Sequence, residues 1–131
     1  MAYFSDYLLD LALANLDTAG DKLYICSDTL SVSNATPPSF AEVTSTYALG
    51  NKTGISIGAP ENGASNGRKV TVASLATGDV TATGTATKWA IVDSANSRVL
   101  VAGTLSASQV ISSVDNTFSL AAFDITLPDP A

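Results

Sequence analysis

The chain has 131 residues, a mass of 13.3 kDa and a formal net charge of −6, with 46% hydrophobic and only 14% charged residues. That is enough for one domain with one modest core, and the apolar runs are too short for a membrane-spanning helix. Histidine is absent and Cys26 is the single cysteine, which removes the commonest general base, an intrachain disulfide and any cysteine metal cage.

Residues 5–16 are the one clear helix. Ser5 suits the N-cap, and Asp6 in the first turn complements the helix dipole. At about 100° per residue, Leu8, Leu9, Ala12, Leu13 and Leu16 form one broad face, expected to pack on the protein's own β domain. Phe4, Tyr7 and Leu11 fall on another side. Asp10 lies opposite the broad face, where it meets water or a partner's cation. A helix this apolar has no properly wet side, and contiguous exposed apolar surface marks an interface. Phe4, Tyr7 and Leu11 are therefore the candidate partner contacts. Gly20 is placed to end the helix in a left-handed conformation.

Beyond Gly20 the texture is β. Residues 22–26 form a short strand, and a Ser/Asn/Pro loop follows up to Pro37-Pro38, which cannot continue a ladder. Phe40 to Leu49 is ambiguous, with a helical turn possible after the prolines. Lys52 to Ile57 reads as a strand. Residues 58–67 form a loop with two Asn-Gly steps, each a strong turn signal. Arg68 to Leu75 alternates, with Val70 and Val72 on one face, and Thr77-Gly78-Asp79 is read as a turn. Val80–Gly84 and Thr85–Asp93 follow as strands, or as one strand bent at Gly84. Residues 94–97 turn the chain, and Arg98 to Leu105 returns as a hairpin partner. Val110-Ile111 and Thr117 to Leu127 are the last strands before Pro128 stops the ladder. About seven short antiparallel strands at this spacing predict a mainly β chain, a β-sandwich or barrel. The helical arm takes residues 1–20, and the sandwich, with a short proline-rich tail, residues 21–131.

Few residues suggest chemistry. Gly58–Lys69 lacks the Gly-Lys-Ser/Thr ending of a phosphate loop. Asp93-Ser94-Ala95-Asn96 lacks the acidic density of a calcium loop. Asp124 and Asp129 have no evident carboxylate partner. Cys26, on an apolar strand, reads as an inert buried thiol, and Trp89 as a core residue rather than a sugar platform. Six scattered cations form no basic stripe, against nucleic-acid binding. The first residues lack the basic region of a secretory signal. The expectation is a non-enzymatic protein with no catalytic residue, no cofactor and no metal site, and with neither nucleic acid nor membrane as a partner.

The runs Asn66–Val72, Gly84–Asp93, Asn96–Leu100 and Ala122–Pro130, with Leu23–Ser27 after the leucine-rich helix, resemble small structural proteins from the virion gene clusters of tailed bacteriophages. The resemblance spans about residue 5 to the end. It implies a virion protein, assembled in the host cytoplasm, whose partners are the major capsid protein, other virion proteins and further copies of itself in an oligomer or lattice. Capsid decoration, or cementing, is the commonest role of a small β domain in such clusters. A tail, neck or head-fibre module binding a host receptor or glycan is the alternative. The matching motifs carry no catalytic residue.

Overall fold

A computed structural model describes residues 3–130. Met1, Ala2 and Ala131, the outermost residues of the expected arm and tail, lie outside the described residues. The chain is a mainly β sandwich built from helix α1 (Asp6–Ala19) and nine strands: β1 (Lys22–Ser27), β2 (Ala48–Thr53), β3 (Glu61–Asn62), β4 (Arg68–Val72), β5 (Leu75–Val80), β6 (Gly84–Asp93), β7 (Arg98–Ile111), β8 (Thr117–Leu120) and β9 (Phe123–Leu127). Six strands form one curled sheet in the order β7-β6-β1-β2-β5-β8, and three form a second in the order β3-β4-β9. Every pairing is antiparallel.

Alternation along the strands places the core. Leu23, Ile25, Trp89 and Ile91 of the large sheet meet Val70, Val72 and Ile125 of the small one, and Leu13 and Leu16 of α1 join the same cluster. Tyr24, Cys26, Ala90 and Val92 point to the other face of the large sheet. There Leu30 and Val43 cover them, with Val32, Phe40 and Tyr47 packed around. Both faces of β1 are thus dry, which its run of four buried residues reflects. The cover is held by a reciprocal cap. Ser39 N–H donates to Glu42 Oε1 at 2.9 Å, and Glu42 N–H donates to Ser39 Oγ at 3.2 Å. This cap opens the helical turn that the sequence left ambiguous, of which Glu42–Thr46 is π-helical.

Several boundaries differ from expectation. The helix runs on to Ala19, and Gly20 is extended at φ −75° rather than left-handed. Close approach explains the glycine instead, since a Cβ there would lie 2.6 Å from the Leu16 carbonyl oxygen and 2.8 Å from Ile91 Cγ2. The strand expected from Lys52 to Ile57 starts at Ala48 and stops at Thr53, where Gly54 turns it at φ 66°, and Ile57 makes only a lone bridge to Val72. Thr77-Gly78-Asp79 does not turn the chain. It lies within β5, whose register against β8 slips between Leu75 and Gly78, with Thr77 at φ 56°. The Phe118 ring covers Gly78 so closely that no side chain fits there. Val80–Gly84 is not a strand of its own, because residues 81–83 leave the ladder before β6 starts at Gly84. Val110-Ile111 is the end of a 14-residue β7. Residues 117–127 split at Ala121-Ala122 into two strands that serve different sheets. The expected seven strands are accordingly nine among the described residues.

Candidate interaction surface

Most of the exposed large hydrophobic side chains described lie on α1 or just before it. Ser5 caps the helix, accepting from Leu8 N–H at 3.3 Å. Leu9, Leu13 and Leu16, spaced to share one stripe, are buried beneath it. Phe4, Tyr7 and Leu11 remain 44%, 72% and 49% exposed. Leu8, expected on the buried face, is 51% exposed, and Ala12 is exposed as well. The correction is geometric. The buried stripe is narrower than the broad face, so residues at its edge project past the sheet. They widen the open face to Phe4, Tyr7, Leu8 and Leu11.

Asp10 sets the rotation of the helix. It does not await a partner's cation. Arg68 of β4 donates to it twice, from Nε at 2.6 Å and from a terminal nitrogen at 3.1 Å. Arg68 also reaches the Asn62 side chain and the Pro60 carbonyl. This fork ties α1 to β3 and β4, so the helix is anchored on the sandwich rather than swinging as a free arm. The pair holds Arg68 protonated, its pKa raised first by the hydrogen bond to Asp10.

Asp93 and Asp124 are held in structural pairs. Asp93 is buried at 4% exposure. It accepts from the Asn96 amide at 2.8 Å and from Arg98 at 3.0 and 3.2 Å, closing the 3-10 turn at Ser94–Asn96. Asn96 first, then Arg98, hold the Asp93 carboxyl below its usual range. Asp124 accepts from Thr71 at 2.6 Å and from Lys69 at 3.0 Å, and these two bonds lower its pKa. Cys26 is fully buried, its Sγ 3.5 Å from the Val43 carbonyl oxygen, and burial pushes the thiol up to about 12. Trp89 is 8% exposed and packs against Phe123 with ring centroids 4.7 Å apart. Among the described residues no three His, Cys, Asp or Glu side chains converge as a metal site. No helix among them is long and apolar enough to cross a membrane.

No protein-family model, curated protein or solved structure matches the chain.

The two depressed carboxyls give a pH prediction. A carboxyl that binds its proton less readily folded than unfolded adds stability that is complete above the ordinary pKa of about 4. That stability is lost as pH falls through the lower folded value. Thermal melting from pH 7 downward should therefore stay level until about pH 4 and then decline. Asp93→Asn should show a shallower acid decline than the parent protein. An unchanged acid limb in this variant would mean that Asp93 does not contribute to it.

Proposed function

We propose that this chain is a non-enzymatic structural protein of a bacteriophage particle, acting in capsid decoration or cementing through protein–protein contacts. The observation that carries the reading is the open face of α1, with Phe4, Tyr7, Leu8 and Leu11 exposed on a helix firmly anchored from behind. A rigid apolar ridge loses little conformational entropy when it docks. Each large apolar side chain buried there contributes about 1.5–3 kcal/mol. A stable pair needs roughly 800 Å² from each partner, so one helix face is part of a larger contact, and repeated contacts across a shell raise the effective concentration.

The fate of the polar groups agrees with a passive role. Asp10, Asp93 and Asp124 are bound to cations, and Cys26 is buried. A receptor- or glycan-binding module would present aromatic rings on its loops. Here Trp89 is buried, Phe40 packs in the second cluster, and the exposed rings Tyr3, Phe4 and Tyr7 cluster at the start of α1.

The test is the double variant Tyr7→Ser, Leu11→Ser. Both positions are open, so the variant should melt within a few degrees of the parent protein. It should no longer self-associate in sedimentation or join particles when supplied in trans to a phage assembly lacking the parent protein. Normal incorporation of the folded variant would show that the ridge is not the docking surface.

A further inference from the structure

We infer that the outer edge of β7 is a strand-addition site, taking an extended, uncharged segment of another polypeptide. β7 is the terminal strand of the large sheet, paired only with β6. Its other edge has no strand partner among the described residues, and near its far end Gln109 Nε2 donates to the Ser119 carbonyl at 2.7 Å. Exposed edges of this kind template pairing with other chains, and proteins ordinarily blunt them with Lys, Pro or bulges. Between Arg98 and Asp115 there is neither a charge nor a proline. Two bulges interrupt the edge: Leu105–Ser108 bow out between Thr104, which pairs Lys88, and Gln109, which pairs Ala86, and Leu100 is the extra residue between Val99, which pairs Val92, and Val101, which pairs Ile91. Between the bulges, residues 101–104 run in register with β6 and are left unprotected.

That stretch is also flanked by clefts on both faces. On one side, a cleft of about 270 Å³ opens between Val99–Ala102 and the loop bearing Val32, Asn34 and Pro37-Pro38. On the other, a second cleft of about 270 Å³ lies between Leu100-Val101, Ala12 and Leu16 of α1, and Leu127 of β9. Farther along β7 a larger cleft of about 480 Å³ lies between Gly103–Ala107, Gln109 and Leu120–Asp124, with Trp89 in its wall. A strand added to an edge sends successive side chains to opposite faces, so a segment paired with residues 101–104 sends its side chains alternately toward the clefts on the two sides. Main-chain bonds then give affinity, and alternate pockets give selectivity.

The walls dictate the occupant's chemistry. No charged residue lines either of the two facing clefts. In the larger one, Asp124 is the sole charge, and Thr71 and Lys69 already satisfy it. An ion brought into these clefts would lose water and gain no counter-charge, so the segment is neutral on both faces. The walls rising on either side of the edge favour a lone extended segment over the edge of another folded sheet. This inference does not depend on the virion reading.

The test uses the intact protein and an array of capped nine-residue peptides. One set alternates Val, Ile and Thr without charge, a second carries Lys or Glu at every other position, and a third repeats the first with alternate backbone nitrogens methylated. The uncharged set should bind, and hydrogen exchange should slow at residues 101–104 while the outer edge of β8 is unaffected. Charge and N-methylation should each weaken binding at least about tenfold. No binding by the uncharged set, protection elsewhere, or equal binding of the N-methylated set would each overturn the strand-addition site. Equal binding of the charged set would overturn the neutrality of its occupant.

Discussion

Trp89→Ala should lower the unfolding free energy by about 3–5 kcal/mol, the range for removing a large aromatic from a core. The ring stands on β6 with its flat side over Gly103, its cross-strand partner on β7. A Cβ on Gly103 would come within 2.8 Å of Trp89 Cζ2, so the glycine makes room for the indole. Phe123 closes the other side, its plane tilted 51° to the indole. Phe123 begins β9, so this contact joins the large sheet to the small one, and its loss loosens the sandwich as well as opening a cavity. Chemical denaturation followed by far-UV circular dichroism measures the difference. A variant as stable as the parent protein would show that the ring contributes nothing to the core.

Gly67→Ala should be costly through the backbone alone. Gly67 sits at φ 71°, a conformation that a Cβ disfavours by about 1–2 kcal/mol. The same Cβ would lie 2.1 Å from the Leu127 carbonyl oxygen and 2.7 Å from Pro128 Cα. Backbone atoms cannot swing aside as a side chain can, and overpacking of this kind adds about 1–3 kcal/mol. The turn feeds β4, whose Arg68 pairs with Leu127 of β9 and holds Asp10 of α1. Gly67→Ala should therefore lower the melting temperature and speed proteolysis after Arg68 and Lys69. Gly54→Ala is the control. It shares the positive φ, but its Cβ would meet nothing within 4 Å, so it should lose only the conformational part. Equal losses in the two variants would remove the close approach to Leu127 from the account.

Features governed by a few neighbouring residues were legible in the sequence. Ser5 and Asp6 start the helix, the alternation of Val70 and Val72 marks a core strand, Asn66-Gly67 makes a turn and Pro128 ends the last ladder. Each follows from local sterics or from side-chain periodicity, so each could be read before the fold was known. The lack of histidine and the lone Cys26 bounded the chemistry in the same direct way.

Long-range pairing decided the rest. Thr77-Gly78-Asp79 has the composition of a turn, yet the ladders with β2 and β8 and the Phe118 ring over Gly78 keep it in a strand. Ala121-Ala122 contains no breaker, yet the chain leaves one sheet there and enters the other. Periodicity put Leu8 with Leu9 and Leu13, but Arg68, 58 residues away from Asp10, fixes the helix at a rotation that leaves Leu8 open. The clefts beside β7 likewise join α1, β9 and the loop before Pro37-Pro38 around one edge. The sequence by itself determined the leading helix, the alternating core strand and the stop at Pro128, because φ/ψ preference and side-chain period are properties of neighbours along the chain. Only the tertiary structure decided which helix face and which strand edge remain uncovered, because coverage depends on residues that are distant in sequence.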